Sequence, residues 1–290
     1  MVEIRGTAMR KIGDYLLTAV PLIAGLGIQI ICSMTASLLY GIYYGVRAAS
    51  GTDAAGVSHN AILAGYNSIV IYVLILSQII AFIVFGIWYS QQNRGREIRS
   101  LTQAVHVKTL ESIVFLGIGL QLLTNLFMQA VYLLAPAALE QYSRLVETVG
   151  IGQTNMTSLL ATVILAPVVE EIMFRGVTMR LARKAGAGFI IANLIQAVAF
   201  GIYHLNWIQG VYAMFLGLVL GYMAYRYDSI YPSILLHLAY NFSATLVGAA
   251  AEGIPDSIIT QIVIVVVTVV TIYFGIRFLK EDRMNKESLN

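Results

Sequence analysis

Leu165-Ala-Pro-Val-Val-Glu170-Glu171-Ile-Met-Phe-Arg175-Gly176 sets two acidic residues and an arginine inside an otherwise apolar run extending from about 155 to 180. A helix crossing a bilayer needs roughly 20 mostly apolar residues, and this run supplies them. A charge at bilayer depth costs at least about 2.5–3.5 kcal/mol on insertion scales, so it belongs where it faces a polar interior and meets a partner. Glu171 and Arg175 are four apart and share one helix face, whereas Glu170 is turned about 100° away. One glutamate is thus placed to pair while its neighbour is left to work. A purely stabilising ion network among the three is the alternative this segment leaves open.

Outward from that run the chain repeats its hydropathy. Apolar stretches occur at about 15–40, 67–90, 111–135, 187–204, 209–227, 231–250 and 258–279. With 58% hydrophobic residues, 11% charged and a mean hydropathy of +0.78, the 290 residues carry more apolar surface than a water-soluble core hides. The expectation is an all-α polytopic membrane bundle of about eight transmembrane helices, forming a single integral membrane domain over 1–290 with no room for a separate soluble domain. The run 187–204 is the shortest, so seven spans plus a re-entrant or tilted helix is the alternative count.

Lys and Arg favour the cytoplasmic side. With the N-terminus inside, Arg5, Arg10, Lys11, Arg94, Arg96, Arg99, Lys108, Arg175, Arg180, Arg183, Lys184, Arg226, Arg277, Lys280, Arg283 and Lys286 fall at cytoplasmic ends, and only Arg47 and Arg144 fall outside. This predicts a multi-pass protein of the cell membrane with both termini cytoplasmic. The first run exceeds the 7–15 apolar residues of a secretory signal, so it reads as an uncleaved span. Outer loops at 41–66 and 136–154 are expected to be irregular or interfacial. Gly217 with Gly221, and Gly41 with Gly45, are spaced to let helices approach. The scattered basic residues form no stripe for nucleic acid, and the single Cys32 permits neither an intramolecular disulfide nor a multi-cysteine metal site.

Two of the four histidines enter apolar runs, His204 in Phe200-Gly-Ile-Tyr-His204 and His237 in His237-Leu-Ala-Tyr-Asn241, whereas His59 and His106 lie in loops. His237 and Asn241 are four apart, so one helix face presents two groups able to donate to a common oxygen. Either histidine alone reads as a packing residue. Beside the glutamates they suggest peptide hydrolysis, which needs a base for water and donors for the tetrahedral oxygen. No serine stands in a nucleophile-elbow pattern, and Cys32 is remote in sequence, so direct attack by water is preferred to a covalent route.

Glu170-Glu171-x-x-x-Arg175, Phe200-x-x-x-His204 and His237-x-x-x-Asn241 together resemble, in order and spacing, the CAAX-protease and bacteriocin-processing family, also called Abi, over about residues 155–245. The resemblance implies an all-helical bundle of about eight spans around a catalytic cavity. It implies Glu170 as the base that activates water with His204 assisting, Glu171 and Arg175 holding the site, and His237 and Asn241 stabilising the oxyanion. The expected partner is a membrane-associated peptide or protein substrate within the lipid bilayer. A bacteriocin self-immunity or scaffold role on the same fold, and proton or cation transport through the Glu and His cluster, are the rival classes. Two histidines and a carboxylate also form a conceivable site for a divalent metal such as zinc, although no His-Glu-x-x-His element accompanies them. One difficulty is geometric: in a plain eight-span arrangement the fifth run carries His204 outward, away from Glu170 and His237, unless that helix is short, tilted or deeply set.

Overall fold

The structure is a computed structural model that describes residues 12–50, 59–149, 155–251, 253, 255 and 257–287. It is all-helical, with no strand among the described residues. The long helices are α1 (Val20–Ala49, entered through a tight turn at Leu17–Ala19), α2 (His59–Gln92), α3 (Val107–Leu134), α4 (Pro136–Val149), α5 (Met156–Lys184), α6 (Phe189–Tyr203), α7 (Trp207–Tyr227), α8 (Tyr231–Ala251) and α9 (Ile258–Glu287).

Among the described residues six segments are long and apolar enough to cross a membrane: Ile12–Arg47, Gly65–Gln92, Val107–Leu134, Met156–Lys184, Trp207–Tyr227 and Ile258–Asp282. The other two expected runs are α8, of 21 residues, and α6, of only 15. At 1.5 Å per residue α6 spans about 22 Å, short of the ~30 Å hydrocarbon layer, so the count of eight holds only approximately. The outer surface is a belt of exposed large apolar side chains such as Ile31, Leu38, Leu133, Ile259 and Ile262. Lipid is the solvent that such a belt requires.

The long outer loops shrink. α1 continues to Ala49 and α2 begins at His59, so most of 41–66 is helix, and 51–58 lie outside the described residues. Of 136–154, the stretch Pro136–Val149 is the amphipathic α4, whose buried Tyr142 meets Tyr212 hydroxyl to hydroxyl at 2.8 Å, while 150–154 are outside the described residues. Burial pushes the Tyr142 phenol above its usual pKa. His106 is no free loop residue, since it caps α3 with its backbone N–H donating to Thr109 Oγ1.

Basic residues at one end of the bundle tie the helices together. Arg96 pairs with Asp228, Arg226 Nη2 donates to Leu279 O at 2.6 Å, and Lys108 reaches both Glu111 and Glu281. Arg175 differs from these residues: it reaches the wall of the cavity at this end, but its side chain is buried in the bundle against an acidic partner. Arg5, Arg10 and Lys11 lie outside the described residues.

Helices α6 and α7 form a hairpin closed at Leu205, a left-handed residue (φ 53°), and Asn206, whose Oδ1 accepts from Ile208 N and Gln209 N. The pair is in close contact because a Cβ on Gly201 would stand 2.6 Å from Gly210 O. Gly217 and Gly221 also serve approach: a Cβ on Gly221 would collide with the Asn193 and Gln196 amides, and one on Gly217 with Ala197, Arg175 and Phe200. Gly41 and Gly45, by contrast, meet nothing within 4 Å, so that expected contact is absent.

Candidate active site

The local shape of α5 follows from Pro167. Proline has no N–H and its ring crowds the carbonyl of the preceding turn, so a regular ladder cannot run through it. The helix widens to a π-form at Leu160–Leu165, where Ala166 N donates five residues back to Ala161 O. Thr162 O then has neither the Ala166 amide nor one at Pro167, and Asn241 Nδ2 fills the vacancy from α8 at 2.8 Å. A second π-form at Ile172–Thr178 follows the glutamates, with Thr178 Oγ1 donating to Met173 O at 3.0 Å.

Asn241→Leu should therefore lower the thermal midpoint by orphaning Thr162 O, a loss of about 1–3 kcal/mol. The same change in a Pro167→Ala background should cost less, because residue 167 regains a donor. Equal losses in both backgrounds, read by thermal unfolding in detergent, would refute this account.

Glu170 and Glu171 lie near the middle of the 29-residue α5 and diverge as their spacing predicts. Glu171 is fully buried; its Oε1 accepts from Arg175 Nη1 at 2.7 Å and from His237 Nδ1 at 2.9 Å. Arg175 Nη2 continues to Gly217 O at 3.1 Å, and its guanidinium lies over the Phe200 ring, 4.7 Å from the centroid. Glu170 has no hydrogen bond among the described residues. Its Oε2 faces His237 Nε2 at 3.7 Å, and the side chain keeps 9% exposure, so water has access to it.

Hydrogen-bond chemistry settles the histidine tautomers. The Phe200 carbonyl can only accept, so His204 donates from Nδ1 at 2.9 Å and presents a lone pair at Nε2. The Glu171 carboxylate likewise takes the His237 Nδ1 proton, turning Nε2 of that ring toward Glu170. Phe200 stands between the two rings, edge-on to His204 at 5.0 Å and to His237 at 5.7 Å. The fifth run is a short helix that ends at Tyr203, and His204 and His237 both contact the Phe200 ring.

The polar interior extends further than the six expected residues. Gln196 Nε2 donates to Gly217 O at 2.8 Å and to Asn193 Oδ1 at 2.7 Å, and Asn193 Nδ2 donates to Leu218 O. Gln196 thus shares with Arg175 the Gly217 carbonyl, Asn193 holds the next one, and the two amides fix the α6–α7 side of the site. Two amides three apart in an apolar run, Asn193 and Gln196, were the signal available in the sequence. Tyr203, its hydroxyl accepting from Gln29 Nε2 at 2.7 Å, ties α1 to the same region.

Among the described residues no group of three or more His, Cys, Asp or Glu is arranged to hold a metal ion. The Asn241 amide faces Thr162 O with one proton and retains a second.

Residues 152–243 match the family described as Type II CAAX prenyl endopeptidase Rce1-like, whereas no curated protein and no solved structure matches the chain. The matched segment contains Glu170, Glu171, Arg175, His204, His237 and Asn241.

Proposed function

We propose that this multi-pass membrane protein is an intramembrane endopeptidase that hydrolyses a peptide bond of a membrane-associated peptide or protein with water activated by Glu170. The observation that carries the reading is the division between adjacent carboxylates. Glu171 is held by Arg175 and His237, while Glu170 has no hydrogen bond among the described residues and keeps 9% side-chain exposure at mid-bundle depth. A charge set without a partner at that depth is expensive and calls for a function.

Glu170 takes a proton from water as the water oxygen attacks the scissile carbonyl, and the oxygen of that carbonyl gathers negative charge. His204 assists through its Nε2 lone pair. The proton on Glu170 is within a short movement of His237 Nε2; the protonated ring, steadied by Glu171, and the second Asn241 amide proton donate to the oxyanion. Collapse breaks the C–N bond and returns the proton to the leaving amine. We further propose that both termini are cytoplasmic, which the gathering of Arg96, Arg180, Arg183 and Arg226 at one end of the bundle supports.

The test is cleavage of a pooled membrane-peptide library by the purified chain in detergent, read by mass spectrometry of new termini, with and without chelator. His204→Gln should slow cleavage roughly 10²-fold with the fold intact. A folded wild-type protein that cuts nothing across a broad library would defeat the protease reading and favour an immunity or scaffold role.

A further inference from the structure

At the arginine-rich end of the bundle lies a cavity of about 460 Å³. Its walls carry Arg96, Arg175, Arg180, Arg183 and Arg226 against the single acidic residue Asp228. Two of these cations are already neutralised, since Arg96 binds Asp228 through both carboxylate oxygens and Arg175 is paired with Glu171. Arg180, Arg183 and Arg226 form no ion pair among the described residues, and Asp228 acts on Arg180 only at longer range. Their guanidinium groups lie over Tyr89, Tyr225 and Tyr227 at 5.1, 5.3 and 5.6 Å, and Arg226 also donates to the Leu279 carbonyl. Stacking holds the planes in place without consuming the charge.

Ser229 and Ile230, which also line the cavity, lead into the N-terminus of α8, where backbone amides and the helix dipole favour an anion. Surface arginines at a membrane edge ordinarily spread into water. Here three guanidiniums that form no ion pair among the described residues line one cavity with tyrosine rings beside them.

We propose that this cavity is a phosphate-binding site that takes the headgroup of an acidic phospholipid. Three unmatched positive charges suit a phosphate, which offers several acceptor oxygens to forked donors, better than one carboxylate. The site opens at the ends of α5 and α7, where spanning helices meet the headgroup layer, and the first turn of α6 beside it exposes Ile190 and Ile191 for acyl chains.

The test uses the full chain in detergent, incubated with an equimolar mixture of phosphatidylglycerol and phosphatidylcholine and read by native mass spectrometry. The wild type should retain phosphatidylglycerol in preference. Arg180→Gln with Arg183→Gln should weaken that retention roughly tenfold, whereas Arg94→Gln with Lys280→Gln, an equal loss of charge outside the cavity, should leave it unchanged. Arg183→Gln alone, at an exposed position, serves if the double variant does not fold, and should reduce retention in the same direction. Millimolar inorganic phosphate separates the sources: lipid retained in its presence supports the headgroup, and a phosphate-dependent rise in melting temperature without lipid retention supports a soluble phosphate compound at the same arginines. Equal loss in the site and control variants, or binding only of a peptide with a free terminal carboxylate, would overturn the proposal.

Discussion

Glu170→Gln should abolish measurable cleavage, a fall of about 10³-fold, while leaving the thermal midpoint unchanged or slightly raised. The two effects separate because of what Glu170 touches. Its carboxylate accepts no hydrogen bond among the described residues and meets only His237 Nε2, at 3.7 Å, so the amide breaks no existing bond. Removing an unpaired charge from a buried place relieves desolvation and does not create it. A glutamine still occupies the volume but cannot accept the water proton. The measurement pairs cleavage rates on the wild type's best library substrate with unfolding curves of both proteins. Retained cleavage would remove Glu170 as the base, and a large loss of stability would mean that it holds the fold as its neighbour does.

Much of this division was legible in the sequence because it depends on helix geometry alone. Adjacent residues on a helix diverge by about 100°, so only Glu171 shares a face with Arg175 while Glu170 is turned away from it, although both carboxylates reach opposite nitrogens of the His237 ring. The apolar runs gave the bundle for the same reason: lipid imposes length and hydropathy directly. What was hidden depends on tertiary approach. The spacing of His237 and Asn241 suggested two donors on one oxygen. Yet Asn241 also serves Thr162 O, because Pro167 withholds an amide one helix away, a consequence visible only once α5 and α8 are packed. Similarly, Arg175 was counted with the basic residues of the helix ends. The spacing gave its glutamate partner, but hydropathy does not reveal that an aromatic face and a carbonyl of α7 also wait for it inside. The placement of His204 rested on the length of α6, which at 15 residues falls about five short of a full span.

Arg175→Met should be the most damaging single change to stability, costing about 3–5 kcal/mol, because it leaves Glu171 buried and charged with only His237 to meet it. Glu171→Met should cost a similar amount, since Arg175 would then be buried at 2% exposure with the Gly217 carbonyl as its one remaining hydrogen-bond acceptor among the described residues. The double variant Glu171→Met with Arg175→Met should be more stable than either single one, because no orphaned charge remains and methionine fills irregular space readily. Unfolding midpoints of the four proteins form a double-mutant cycle, and the pair predicts strong non-additivity; additive losses would show that the two side chains are held independently. The double variant should nevertheless be inactive. Without Glu171, His237 Nδ1 loses its acceptor, the ring is free to turn, and Nε2 is no longer directed at Glu170. A folded protein that has lost cleavage with Glu170, His204 and Asn241 intact would mean that the buried ion pair orients the histidine. Full activity in that variant would instead confine the pair to the fold.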